Sequence, residues 1–220
     1  RQGCVTLAIT NVADSKLARA AGLMLPLEAG PEVSVPASKT YTASVLAMAL
    51  LSQALDPDAS FDAALEQVPA AISLALDRQG DLDALVQPLM GPRAVVLGRG
   101  FNFSTAEEIA LKLSETSYVL ARAWSVADFE HGPMAIAEAG LPVLIVDGGG
   151  LVAADLESVR TRLEAKGAEV LHLFDVSGLP EELTPIPLAV LGQLLAHDVA
   201  VARGIDPDQP RTIQKVTRTW

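Results

Sequence analysis

Residues 94–122, AVVLGRGFNFSTAEEIALKLSETSYVLAR, carry the reading on which the fold turns. Four apolar residues, Ala94 to Leu97, run straight into Gly98-Arg99-Gly100, and a helical period begins at Thr105. A short unbroken apolar run suits a strand covered on both faces, and a glycine turn lets the chain swing into a following helix. The pattern predicts a strand over 94–97 and a helix over 105–122. Ser104 with Glu107, or Thr105 with Glu108, fits a capping box at the start of that helix. A helix start after a parallel strand also suits an anion or a sugar hydroxyl, although a plain cap is the simpler account. The turn lacks the third glycine of the dinucleotide fingerprint and the Gly-Lys-Ser/Thr of a phosphate loop, so neither NAD nor ATP is supported.

The same alternation continues outward. Downstream lie a short helix around Met134, a strand over Pro142–Val146, a helix over Leu151–Lys166, a strand over Glu169–Phe174 and a helix over Pro187–Arg203. Upstream, Cys4–Thr10 reads as a buried strand, Ser15 caps a short helix through Ala21, and Leu23–Leu27 is a second strand. A helix over Ser38–Leu55 stops at Asp56-Pro57-Asp58, and another over Phe61–Leu76 is kinked at Pro69. The polar run Asp77–Asp81 makes a linker, with a boundary near Gly80, before a helix over Leu82–Leu89. Strands alternating with helices imply a parallel sheet flanked on both faces, an α/β fold. The tail from Gly204 to Trp220 has prolines and charges but no period, and reads as a wrapping extension. The chain opens on Arg1 and enters its first strand almost at once, without the crossover a parallel strand needs before it. A fragment, incomplete as a catalyst, is the expectation.

Composition narrows the partners. Among 220 residues, 16 Lys and Arg face 27 Asp and Glu, a net charge of −11. That balance argues against phosphate-backbone binding and against a polybasic membrane patch. One cysteine, Cys4, leaves no disulfide framework and no Cys-rich metal site. The longest apolar helical run, residues 44–55, is too short and too interrupted to span a bilayer, and no charged leader precedes an apolar stretch. A soluble, cytoplasmic protein without nucleic-acid or membrane partners is expected.

Glu108, Lys112 and Glu115 fall at i, i+4 and i+7, on one helix face. A carboxylate, an ammonium and a second carboxylate side by side can move protons, the lysine tuning its neighbours. By spacing alone, an exposed stripe of salt bridges explains them more simply, Glu108 to Lys112 having the favoured orientation. His131 sits in a Phe-Glu-His-Gly-Pro bend and can serve as acid or base near neutrality, or merely cap a surface turn. His172 and His197 read as packed or surface residues, and the three histidines show no metal-ligand spacing. Lys215 stands alone in a polar tail, where solvation is the ordinary fate.

The stretches LAITNVADSKLARAAG, AGPEVSVPASKTYTA, GRGFNFSTAEEIALKLSETSYVLARAW, FEHGPMAI and GIDPDQPRTIQKVT together resemble one family. It comprises the isomerase portion of glucosamine-6-phosphate synthase and the stand-alone deaminases and phosphosugar isomerases built from two SIS (sugar isomerase) domains. The resemblance implies three-layer αβα domains with parallel sheets. Residues 1–79 would be the C-terminal half of a first SIS domain, 80–203 a complete second one, and 204–220 a tail that contributes to the site. The opening half of the first domain, with its phosphate-holding loop, would lie outside the sequence, as would any glutaminase unit, Cys4 lying inside a strand. By position, Glu115 matches the base that moves a proton between C1 and C2, and Lys112 and Glu108 match its helical companions. His131 matches the ring-opening histidine, Lys215 the Schiff-base lysine, and Val35 and Gln214 residues whose backbone lines the sugar site. Pro36, Ala37, Ser38 and Ser114 depart from the family's commoner residues and leave substrate identity open. The implied activity is aldose–ketose isomerisation of an amino-sugar phosphate, as a deaminase or an isomerising aminotransferase without glutaminase domain. Fructosamine-phosphate deglycation and a non-catalytic sugar-phosphate sensor are the alternatives. The implied partners are the sugar-phosphate substrate and a second copy of the chain, in a homodimer with shared active sites; no cofactor and no metal is implied.

Overall fold

A computed structural model describes residues 3–215; Arg1, Gln2 and the last five residues of the tail lie outside the described part. The C-terminal unit is built on four parallel strands in the order β4-β3-β5-β6: β3 Arg93–Gly98, β4 Leu120–Ser125, β5 Pro142–Asp147 and β6 Glu169–Phe174. Strand side chains alternate between two buried faces. Val95, Leu97, Val143 and Ile145 pack on one side against α7 (Val126–Glu130) and α8 (Ala153–Ala165) through Phe129, Leu156, Val159 and Leu163. Val96, Leu144, Val146 and Leu173 pack on the other against α6 (Asn102–Ser117) and α9 (Pro185–Ala202). Both faces are covered, which is why these strands read as unbroken apolar runs. The architecture is the three-layer αβα arrangement expected.

Residues before Gln79 form a smaller parallel pair, β1 Leu7–Thr10 with β2 Leu23–Pro26, joined by α1 Lys16–Ala20. Ser15 caps α1 as expected, its hydroxyl accepting from the Ala18 N–H. Three helices follow, α2 Lys39–Leu55, α3 Ala59–Leu65 and α4 Val68–Asp77, and a fourth, α5 Asp83–Leu89, leads into β3. Val68 and Ala71 of α4 and Leu65 of α3 share a cluster with Leu179, Leu183 and Ile186, so these helices are packed onto the C-terminal unit.

Several expectations are corrected. The helix predicted over 105–122 spans Asn102–Ser117 and stops where Tyr118 turns left-handed (φ 55°), the Val119 N–H closing on the Leu113 carbonyl at 3.2 Å. Leu120–Ser125 is a strand beside β3, although Leu-Ala-Arg-Ala has strong helix propensity; pairing with β3 overrides the local preference. Neither capping box forms, because the helix begins three residues earlier and its N-terminus has no side-chain cap. Ser104 instead donates to the Phe101 carbonyl and Thr105 to Asn102 Oδ1. The helix drawn over 61–76 is two helices, with Pro69 in the first turn of α4, where its missing N–H costs nothing. The polar stretch 77–81 is no loose linker: a 3₁₀ turn over Gln79–Leu82 buries Leu82, and Gln79 donates to Asp198 on α9 at 2.9 Å. Cys4 is exposed and lies before β1 rather than within it. The longest apolar helix is α9, 18 residues long and apolar enough to cross a membrane by length and composition. Of that window 61% is buried inside the fold, as in the core helix of a globular domain.

Candidate active site

Helix α6 packs on α9, and that contact decides the environment of Glu108, Lys112 and Glu115. At the crossing, Gly192 of α9 faces Ile109 of α6 so closely that any β-carbon there would collide with the isoleucine side chain. The exposed-stripe account fails here: the side chains of Glu108 and Lys112 retain only 5% and 7% of their exposure, against 25% for Glu115. Lys112 Nζ donates to Glu115 Oε2 at 3.0 Å and lies 3.7 Å from Glu108 Oε1. The ammonium therefore sits between two carboxylates, closer to the less buried one. A buried ion of this kind persists only when paired and hydrogen-bonded. Burial drives the Glu108 carboxyl above its ordinary range, opposed by the Lys112 charge and a hydrogen bond from Gln193, with Glu115 adding repulsion. A carboxyl with raised proton affinity beside an ammonium and a more accessible carboxyl is an arrangement acid–base chemistry can use.

The loop 31–38 before α2 forms the second wall. Glu32 Oε1 accepts from the N–H groups of Ser38 and Thr40, at 3.1 and 2.8 Å, and from the Thr40 hydroxyl at 3.0 Å. Burial alone would raise this carboxyl, but those hydrogen bonds and the charge of Lys215 hold it below its ordinary value. The tail reaches the same loop. The Val35 N–H donates to the Asp208 carbonyl at 3.1 Å, and the Ser34 hydroxyl to the Asp208 carboxylate. Farther along, the Arg211 N–H donates to the Tyr118 hydroxyl at 2.7 Å, while its guanidinium stacks 4.3 Å over the ring. Lys215 ends that path, its Nζ 2.6 Å from the Ser34 carbonyl and 3.4 Å from that of Val35.

Two cavities flank this loop and share Ala37. One, of about 410 Å³, is lined by Lys112, Thr116, Gln193, His197 and residues 36–39. The other, of about 690 Å³, is lined by Asn11, Glu32, Val35, Thr40 and Lys215. A larger cavity of about 910 Å³, between α2, α3 and residues 178–182, contains none of the candidate residues. Thus Glu108, Lys112 and Glu115 come together on α6, and Val35 and Lys215 come together at the loop. His131 does not join them within one chain: it is exposed at the end of α7 and lines neither flanking cavity. Gln214 is also exposed. His172 is paired with Asp147 at 3.1 Å and His197 with Asp198 at 2.9 Å, as expected of structural or surface histidines. Gln193, Glu32 and Tyr118 were not singled out from the sequence. No local signal marks them, since each acquires its role only through a partner distant in the chain.

Residues 91–180 match the model of the SIS domain. The chain is 35% identical to a glutamine–fructose-6-phosphate aminotransferase (isomerizing) of Thermococcus kodakarensis, over 98% of its own length and 40% of the relative's. It thus spans about two fifths of the curated relatives it matches. Among solved structures, one from Silicibacter pomeroyi, described as a candidate phosphosugar isomerase, is 32% identical over 94% of this chain and 66% of that one, with a TM-score of 0.82. The C-terminal domain of glucosamine-fructose-6-phosphate aminotransferase from Francisella tularensis superposes with a TM-score of 0.86 at 24% identity, covering 92% of this chain and 64% of that one. The protein carries a SIS domain. It is homologous to the isomerase domain of glucosamine-fructose-6-phosphate aminotransferase, with phosphosugar isomerases as structural neighbours.

Proposed function

We propose that the protein is a phosphosugar aldose–ketose isomerase acting on amino-sugar phosphates, as a glucosamine-6-phosphate deaminase or a glutaminase-free isomerising aminotransferase. The observation that carries this is the Glu108-Lys112-Glu115 set on α6, its Glu108 and Lys112 buried, facing a loop on which the tail has seated Lys215. A module that only sensed sugar phosphate would have no use for a buried ammonium between two carboxylates, which costs solvation to maintain.

In this reading Glu115, the most accessible carboxylate of the set, takes the proton from one carbon of the open-chain sugar and returns it to the next. Lys112 holds Glu115 in place by the ion pair at 3.0 Å, and Glu108, carrying its proton more readily, serves the C1 oxygen. Lys215 supplies the amine that forms an imine with a keto-sugar, losing the sugar's carbonyl oxygen as water. Val35 and Gln214 present backbone to the sugar. His131 opens the ring from a second subunit, in agreement with its exposed position outside both cavities beside the loop. Residues 1–79 and 80–203 serve as the end of one SIS domain and the whole of another, residues 204–220 as the tail closing the site, in a cytoplasmic homodimer.

Incubating the full-length protein with glucosamine 6-phosphate and measuring ammonia and fructose 6-phosphate tests the proposal. Release of both supports the deaminase. Turnover of a fructosamine phosphate alone would move the assignment to a deglycase, and no turnover in either direction, with ammonia supplied for the reverse, would overturn it.

A further inference from the structure

One carboxamide joins the two walls of the site. Gln193, on the face of α9 that meets α6, directs its Nε2 at Glu108 Oε1 (3.1 Å) and at the Ser38 carbonyl (3.3 Å). An amide nitrogen carries two hydrogens, so both are used, one on each wall. Glu108 Oε1 is also the oxygen nearest Lys112. A continuous polar line therefore runs from Glu115 through Lys112, Glu108 and Gln193 to Ser38, and along the 34–38 loop to the carbonyls that hold Lys215. Gln193 is the link in that line between α6 and the loop.

We infer that Gln193 is a positioning residue: it fixes the rotamer of Glu108 and holds the sugar-facing loop at a set distance from the proton-transfer helix. The inference rests on the proposed isomerase reading for its catalytic consequence, but not for its geometry. Both acceptors need it. Glu108 is almost fully buried, and the loss of a hydrogen bond to a buried charge-bearing group is not repaired by water. The groups facing Glu108 are Lys112 and Glu115 from its own helix, Gln193 from α9 and Tyr41 from α2, with Glu107 near Tyr41. Of these, Gln193 is the one that also grips the loop. Gln193→Leu removes both donors while keeping an apolar stem of similar length.

The expected result is an upward displacement of the Glu108 titration in the full chain, followed by the ¹³C shift of its labelled carboxyl, because a donor favouring the ionised form is gone. With the substrate of the proposed reaction, kcat should fall about 10- to 100-fold, the range set by losing one hydrogen bond to a charged group, while KM changes less. In a Glu108→Gln background the same replacement should lower kcat by a smaller factor, since only the hold on the loop is left to lose. Gln193→Asn, which keeps the amide on a shorter stem, should restore neither function. An unmoved Glu108 titration in Gln193→Leu overturns the inference whatever the activity, and so does full additivity with Glu108→Gln. A displaced titration in a protein without isomerase activity upholds the bridge and overturns the isomerase reading instead.

Discussion

The side-chain nitrogen of Lys215 lies 2.6 Å from the carbonyl oxygen of Ser34, a residue 181 positions earlier in the chain. That contact places a tail with no apolar run of its own against the loop before α2. It follows from two other anchors, Asp208 on Val35 and Arg211 on Tyr118, which fix the direction of the tail before it reaches Lys215.

On the proposed reading, borohydride reduction in the presence of fructose 6-phosphate should trap a covalent adduct on Lys215, located by peptide mass mapping. Imine formation consumes the amine and releases the sugar's carbonyl oxygen as water, so the adduct should be absent when fructose 6-phosphate is omitted. Tyr118→Phe removes the hydroxyl that accepts from Arg211, and should lower the trapping yield without unfolding the protein. An undiminished yield would show that the tail is held by its other contacts.

Glu115→Gln is nearly isosteric and leaves the α6–α9 core untouched, since the side chain is a quarter exposed. Exchange of the substrate C2 proton with deuterated water should fall by about 10²–10⁴-fold, the usual contribution of a positioned base. Wild-type exchange would remove Glu115 from the mechanism.

His131 is exposed and lines neither cavity beside the 31–38 loop. His131→Ala should slow a cyclic substrate far more than an open-chain analogue. Mixed with Glu115→Gln, it should regain partial activity by pairing one intact set of residues across two subunits. If subunits exchange and the mixture stays inactive, the shared site is disproved.

The fold holds a proton on Glu108 more tightly than the unfolded chain does, because burial raises its carboxyl above the ordinary 4.5. As pH rises past 4.5 the unfolded chain releases that proton first, so wild type should lose stability relative to Glu108→Gln until the folded carboxyl ionises, and then level off. Urea midpoints of both proteins between about pH 4 and pH 8 measure the difference. A wild type that gains on the variant as pH rises would reverse the assigned direction.

Gly192→Ala should push α9 away from α6, because the new methyl would meet the Ile109 side chain. Overpacking of this kind costs about 1–3 kcal/mol, and here it should also stretch the Gln193–Glu108 hydrogen bond. Chemical denaturation reads the first effect. In an Ile109→Ala background, which lacks the Cγ1 that the new methyl meets, Gly192→Ala should cost little, and that would confirm the steric cause.

Wherever a residue's role depends on its near neighbours, the sequence alone determined it. Strand β6 spans the expected Glu169–Phe174, and Ser15 caps its helix, because apolar runs and caps are local patterns. The face shared by Glu108, Lys112 and Glu115 was legible too, being a consequence of helical period, and motif resemblance pointed to the family. Tertiary structure decided the rest. Leu120–Ser125 carries a helical composition, and only hydrogen bonding to β3 makes it a strand. The same three residues on α6 would be a solvated stripe on an isolated helix; α9, laid over them by Gly192, turns them into a buried set with a raised carboxyl. Gln193 carries no mark in sequence, since its meaning lies in two acceptors 85 and 155 positions away. Contacts at such separations have no local period or spacing, so nothing short of the folded chain brings them together.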